Sequence, residues 1–461
     1  MSHPYIPNAG PETRAAMLAE IGAPDIAEFY RDIPADLRLD RPLDLPEPFA
    51  DERGLTRHVR GLLARNTDPA ALLSFLGHGC YPHYVPAVCD EVNGRGEFLT
   101  AYAGEPYEDH GRFQALFEYV SMMAELLEMD VVNVPVYDGY QAAGTALRMA
   151  ARRTGRNRVM VSGAVAADKL AKIRDYLAPD VEVLLAPVAD SGELGEVRLD
   201  DTFAALYLET PTVHGVVETR GRELAALAHG AGALLVVGTD PISLGVLAPP
   251  ASYGADLVCG DIQSLGMHPQ YGGGQAGFIA SHDDERLVAE FPSRLFGIAP
   301  TEVPGEYGFG DVFYDRTSFA LREEGKEWVG TAAALWGITA GVYLALMGPR
   351  GMRELGETIL ARTRYAMGAL DAAGAVVRHR ESVHFREFAV EVPDADALLA
   401  ALRGRGILGG VRLGPREVLV CVTEQHSVAD IDTLAVAVRE ALAAPAAAAA
   451  PAVPSTAGDA Q

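Results

Sequence analysis

An α/β fold with a large, mostly parallel sheet and a smaller C-terminal α/β domain is predicted by three observations. Short apolar runs without alternation recur at 158–162, 181–186, 204–209, 233–238 and 255–259, as expected of strands covered on both faces. Helical patterns separate them, at 54–65, 69–75, 111–128, 139–153 and 221–230, which implies right-handed βαβ units. Beyond Gly348-Pro349-Arg350-Gly351, the segments REFAVEVP, DADALLAALRGRGI, VLVCVTE and SVADIDTLAVAVREAL alternate again as a β-α-β-α unit.

The elements follow in order. Residues 1–60 read as an arm: a short helix over RAAMLAEIG with Met17, Leu18 and Ile21 on one face, a second over IAEFYRDI stopped by Pro34, then the extended RPLDLPEPF (41–49). The large domain is expected over 61–345. In HGAGALLVVGTD (229–240), Gly230 and Gly232 end a helix and a strand follows at once. WVGTAAALWGITAGVYLALMG (328–348) reads as a buried helix, shorn of the flanking signals of a membrane span. The small domain is expected over 346–443, and the Ala/Pro tail 444–461 as disordered.

Composition narrows the function classes. The chain has 461 residues, 49% hydrophobic, with 38 basic and 63 acidic side chains and a net charge of −25. Such a charge argues against nucleic acid or an anionic membrane as the main partner. The four cysteines have no CxxC spacing and no Cys/His cluster suggests a metal; Cys259 and Cys421, inside apolar runs, are expected to be buried thiols. No apolar run reaches the roughly 18 residues of a span, and MSHPYIPNAGPETR lacks a signal-peptide core. A cytoplasmic location is expected.

Two strands carry the chemical signal. AGALLVVGTDPISLG (231–245) ends in Asp240, and ADLVCGDIQSLGMHPQYGGGQAGF (255–278) supplies a second strand, a polar turn and glycines. Pyridoxal-phosphate (PLP) enzymes of the aminotransferase type I fold present their cofactor this way: an acid holds the pyridinium nitrogen and a lysine after the second strand forms the imine. Here the turn carries Gln263, and an amide forms no imine. The chain has three lysines, Lys169, Lys172 and Lys326. Either the site is not a PLP site or the lysine comes from another chain. An independent PLP enzyme would need one of the three, and Lys326, in REEGK, is the candidate. Asp240 alone could equally be a cap or turn acid. YGGGQAG (271–277) could cradle a phosphate or form a plain turn, and Tyr137-Asp138-Gly139 opens a helix whose amides could meet an anion.

Many short segments in order carry a resemblance: YIPN (5–8), AEIG (19–22), LSFLGHGCYPHYVPAV (73–88), EFLTAY (97–102), QALFEY (114–119), VSGAV (161–165), GALLVVGTDPISLG, YGAD (253–256), QSLG (263–266) and VCVTE (420–424). Over residues 5 to about 443 the chain resembles subunit 1 of the two-subunit glycine dehydrogenase (decarboxylating), the P-protein of the glycine cleavage system. The resemblance implies a PLP-dependent transferase fold without its cofactor lysine, a subunit 2 that carries PLP on a lysine, an α2β2 assembly, a small amino-acid substrate, and transfer of an aminomethyl group to lipoylated H-protein. It makes Asp240, Gln263, Tyr137, Asp138 and Gly139 a degenerate cofactor site, and turns the loops 75–86 and 98–112 toward the partner's site. Tyr102, Tyr107, Arg112, His83 and Tyr84 are then the candidate pocket residues; an arginine binds carboxylates in bidentate fashion, and tyrosines orient an amino acid.

The chain departs from the family pattern at four places. The loop after TAY is one residue shorter, with Tyr107 displaced and Arg112 new; Ala166 replaces an imidazole; ETPTVHG stands at 209–215; REEGKEWVGT stands at 322–331. The departures fall on the expected site face rather than in the core patterns, which keeps open a paralogue retuned to another amino acid, or a scaffold subunit.

Overall fold

The computed structural model describes residues 5–67, 72–98, 110–270, 273–326, 329 and 333–444. Contacts divide the chain into two units, Met1–Thr67 and Asp68–Gln461. The first contains helices Pro11–Glu20 and Glu52–Leu63, the latter capped by the Asp51 carboxylate accepting from Gly54 N–H at 2.6 Å. Residues 42–49 form neither helix nor strand, and Leu45 N–H donates to Leu43 O at 3.1 Å in a tight turn. Met17, Ile21, Leu55, Leu62 and Phe49 of this unit are exposed.

The second unit is built on a seven-stranded sheet. Its strands are β1 (Val131–Val132), β2 (Arg158–Ser162), β3 (Glu182–Ala186), β4 (Phe203–Thr210), β5 (Leu234–Thr239), β6 (Leu257–Asp261) and β7 (Gly277–Ser281). The order is β1-β7-β6-β5-β4-β2-β3. β6, β5, β4, β2 and β3 are parallel; β7 runs against β6, and β1 against β7. The predicted strands are all there, 158–162 at its expected bounds and the others within two residues of theirs. Val236, Val237, Leu206 and Leu208 are buried on the two faces of adjacent strands, as the unalternating runs require.

Helices cover the sheet. They include α1 (Gly139–Thr154), α2 (Ala167–Leu177) and α3 (Gly221–Gly230). The long apolar stretch becomes α4 (Ala334–Ala372), broken at Gly348, whose φ of 58° and ψ of 178° lie outside the helical region. Glycine tolerates that conformation and Pro349 restarts the helix behind it. Among the described residues, no helix is long and apolar enough to cross a membrane.

Within the same unit a four-stranded antiparallel sheet follows: β8 (Val376–Val377), β9 (Glu387–Glu391), β10 (Val411–Gly414) and β11 (Glu417–Cys421), in the order β8-β9-β11-β10. Helices Ala395–Arg403 and Val428–Ala443 pack on it, the second opened by a Ser427/Asp430 capping box. One expectation fails here. The helix predicted over 69–75 is not formed at its described end: Leu73–Ser74 is a strand paired in parallel with Ile407–Leu408. Distant pairing overrides a weak local helical pattern.

Candidate functional site

The carboxyl ends of β4, β5 and β6 face a cavity of about 120 Å³, closed on another side by Phe385, Arg386 and Glu387 at the start of β9. Ligands of open α/β sheets bind at these strand ends. Asp240 immediately follows β5 and lines the cavity. Its Oδ1 accepts from Ile242 N–H at 3.0 Å and its carbonyl from Ser243 Oγ at 2.6 Å, which fix the turn. Its Oδ2 is in contact with the guanidinium of Arg386.

Arg386 is 1% exposed and in left-handed backbone conformation, with φ of 65°. Its guanidinium carbon lies 3.9 Å from the centre of the Tyr81 ring, a cation–π stack. Among the described residues, Nε and Nη1 meet no hydrogen-bond acceptor. Beside it, Glu387 accepts from His78 N–H at 2.6 Å and from the Tyr81 hydroxyl at 3.1 Å. Burial pushes the Glu387 carboxyl above its usual range. Gly77 makes this approach possible: a Cβ there would lie 2.2 Å from Glu387 Oε1 and 2.7 Å from Cys421 Cβ.

Gln263 is 1% exposed, and its amide is fully engaged. Oε1 accepts from Tyr81 N–H at 2.9 Å, while Nε2 donates to Tyr81 O at 3.2 Å and Met267 O at 2.9 Å. The residue at the lysine position therefore pins the 78–84 loop to the turn after β6.

Asp261, the last residue of β6, accepts from Gly139 N–H at 2.8 Å and from Gln263 N–H at 2.8 Å. Burial pushes its carboxyl up to about 7, against the lowering effect of those bonds. Asp138 caps α1 by accepting from Gln141 N–H at 2.7 Å, and Tyr137 N–H donates to Gln141 Oε1 at 3.1 Å. The helix N-terminus that could have received an anion is thus served by carboxylates and an amide of the chain itself. Gly139 lines the cavity; the side chain of Tyr137 is exposed.

The described glycine amides of the 271–277 run are also engaged. Gly273 N–H donates to Gln270 O at 3.0 Å, Gly274 N–H to Pro269 O at 3.3 Å, and Gly277 N–H to Val136 O at 2.9 Å. These described amides belong to a turn and a strand start.

Among the described residues, the lysine that lines the cavity is Lys169, on α2, and not Lys326. Lys326 instead pairs with Glu290. Lys169 Nζ lies 2.5 Å from Glu209 Oε1, which also accepts from the Tyr207 hydroxyl at 2.8 Å. Burial pulls the Lys169 ammonium down, but Glu209 outweighs it and holds the group above its ordinary value. To attack an aldehyde this amine would first have to leave Glu209 and give up a proton.

These residues do not fit PLP. The acid position is held by Arg386, the lysine position by a bonded amide, and the helix amide by Asp261.

The remaining candidates lie elsewhere. His83 is buried with Nδ1 2.6 Å from Glu424 Oε2, and burial lowers its pKa. Tyr84 N–H donates to Glu424 Oε1 at 2.6 Å while its ring is 65% exposed. Arg112 is buried on helix His110–Leu127. Tyr102 and Tyr107 lie outside the described residues. No described group of three or more His, Cys, Asp or Glu is arranged to hold a metal ion. Cys259 and Cys421 are buried free thiols, as expected. Sequence reasoning missed Lys169, Glu209, Arg386 and Glu387; each reads locally as an ordinary helix or strand-edge charge.

A family model described as "Glycine cleavage system P-protein" matches residues 3–438. The chain belongs to this P-protein family. A probable glycine dehydrogenase (decarboxylating) subunit 1 of Metallosphaera sedula is 36% identical over 453 residues, covering 95% of this chain and 99% of that protein. The P-protein fold is matched by a crystal structure of glycine decarboxylase (P-protein) of the glycine cleavage system in inhibitor-bound form, at a TM-score of 0.84 and 34% identity over 96% of this chain and 100% of that one. A sphingosine-1-phosphate lyase of Burkholderia pseudomallei shares the fold alone, at a TM-score of 0.62 and 15% identity over 87% of this chain and 92% of that one. The aminotransferase-type fold and the family expected from the sequence are those found.

Proposed function

We propose that this chain is the lysine-lacking subunit of a two-subunit glycine decarboxylase, and that PLP is carried on a lysine of subunit 2. The observation that carries the reading is the saturated Gln263 amide at the lysine position, in a chain similar over nearly its whole length to relatives named subunit 1. On the partner, PLP would supply the electron sink for the charge left when glycine loses CO2. This chain's part is to complete the pocket and hold its partner. Gln263 and Glu387 fix the 78–84 loop, so that Tyr84 projects outward from a rigid base. Arg112, Tyr102, Tyr107 and His83 are the further pocket candidates. The exposed apolar side chains of Met1–Thr67 suit a permanent interface, since unpartnered surfaces of this kind mark docking sites. The proposed assembly is α2β2, acting in the cytoplasm, and it passes the aminomethyl group to lipoylated H-protein.

The test is reconstitution. The chain, its lysine-bearing partner and lipoylated H-protein are combined, and exchange of labelled bicarbonate into glycine is followed. Exchange should require both subunits. Activity of the partner alone at the full rate would reject the role, as would inactivity of the complete mixture.

A second reading has one specific observation behind it. Ala166, Glu209 and Thr212, in segments that depart from the family pattern, line the cavity. A paralogue acting on another amino acid would show exchange with that amino acid and not with glycine, which a substrate screen of the same mixture reads directly.

A further inference from the structure

The turn after β11 closes on the loop that carries Tyr84. Three consecutive residues of the turn meet three consecutive residues of the loop. Thr423 Oγ1 and Gln425 Nε2 both donate to Pro82 O at 2.9 Å. Between them, Glu424 spends one carboxylate oxygen on each of the next two residues. Its Oε1 accepts from Tyr84 N–H at 2.6 Å, and its Oε2 lies 2.6 Å from His83 Nδ1. Glu424 is held in turn, its carbonyl accepting from the Arg362 guanidinium on α4.

Connecting segments are ordinarily mobile, but this one is fixed from two sides. The C-terminal sheet holds the peptide between His83 and Tyr84, and Gln263, in the turn after β6, holds Tyr81. The His83 side chain is 1% exposed and acts as a strut. Tyr84 is its opposite: the backbone N–H is tied down and the side chain is left outside. An aromatic ring preset on a fixed backbone loses little entropy when another molecule takes it. Tyrosine is also enriched among the residues that dominate interfaces.

We infer that Glu424 is a positioning residue, which presets Tyr84 for contact with the site carried by the partner subunit. The inference rests on the two-subunit reading above and adds the residue through which the C-terminal sheet acts. The chemistry gives it a signature. Glutamine at 424 can keep both bonds: its amide oxygen accepts from Tyr84 N–H, and its NH2 donates to His83 Nδ1 once the imidazole proton sits on Nε2. Alanine keeps neither.

The test uses the full chain reconstituted with its lysine-bearing partner and lipoylated H-protein, read by exchange of labelled bicarbonate into glycine. Assembly is followed by light scattering. Tyr84→Ala should lower exchange about tenfold or more, with assembly and melting temperature unchanged because the ring is exposed. Glu424→Ala should lower exchange comparably and speed hydrogen exchange at Tyr84 N–H, while Glu424→Gln stays within about twofold of wild type. The double variant Glu424→Ala/Tyr84→Ala should be no worse than the poorer single one, because both act through one side chain. If Glu424→Ala does not fold, Gln425→Ala serves: it removes a donor to Pro82 O, and its fall of about threefold should vanish in the Tyr84→Ala background. Full exchange with Tyr84→Ala overturns the inference alone, as do additive losses or a Glu424→Gln variant as poor as Glu424→Ala. An inactive wild-type mixture rejects the two-subunit reading and this inference with it.

Discussion

The guanidinium of Arg386 rests on the carboxylate of Asp240, occupying the acid that a PLP enzyme of this fold reserves for the cofactor ring. Arg386 is buried and Asp240 partly so, and the guanidinium charge is tolerable there only while the carboxylate is present. Arg386→Met should destabilise the chain by about 1–3 kcal/mol, because the partly buried Asp240 carboxylate loses its partner. Adding Asp240→Asn should recover most of the loss. Urea melts of the two single variants and the double variant measure the coupling.

Gln263→Lys does not rebuild a cofactor site. The N–H and C=O of Tyr81 and the carbonyl of Met267 all lose an amide shaped to them. An unsatisfied buried polar group costs about 1–3 kcal/mol, so the variant should be less stable by a few kcal/mol. It should show no imine absorbance with PLP; a borohydride-sensitive imine would show that Arg386 and Asp261 do not close the site.

Gly77→Ala should be strongly disruptive for its size. The added methyl would meet Glu387 Oε1 and Cys421 Cβ, and overpacking of this kind costs about 1–3 kcal/mol. Loss of the Glu387 bonds to His78 and Tyr81 should follow, read as faster hydrogen exchange at His78 N–H. Exchange as slow as in wild type, with unchanged stability, would contradict it.

Acid sensitivity should arise at a histidine cluster. Burial holds His214 and His384 down to about 4, aided by His379 beside them. His214 also faces Arg378 and, at 3.7 Å, Glu417. The folded pKa values lie below the unfolded ones, so the unfolded chain binds more protons between about pH 6.5 and 4. This stability is present above pH 6.5 and is lost as pH falls through that window, at about 1.4 kcal/mol per pH unit for each histidine. Removing one proton site with His384→Gln should flatten the slope by that amount, measured by denaturant midpoints at several pH values.

What could be read in the sequence was local. Strands 158–162 and 234–239 are apolar on both faces, and that pattern depends on no distant partner. Asp240 and Gln263 could be found because their position relative to two strands defines them. Arg386 and Glu387 could not: their meaning comes from Asp240, Tyr81 and His78, which are far away in the chain. Lys169 reads as an ordinary helix lysine until Glu209 is brought 2.5 Å from it. Leu73–Ser74 failed as a helix for the same reason, since its partner is Ile407–Leu408. The edge strand Val131–Val132 is too short to signal itself, and Gly277–Ser281, which pairs on both sides, follows a glycine run that masks its start.

The central claim is that the cofactor is held by a lysine outside this chain. Borohydride reduction of the reconstituted complex with PLP, followed by peptide mass mapping, tests it most directly. The account predicts the reduced pyridoxyl group on a lysine of the partner and none on this chain. A pyridoxyl group on Lys169 would contradict it.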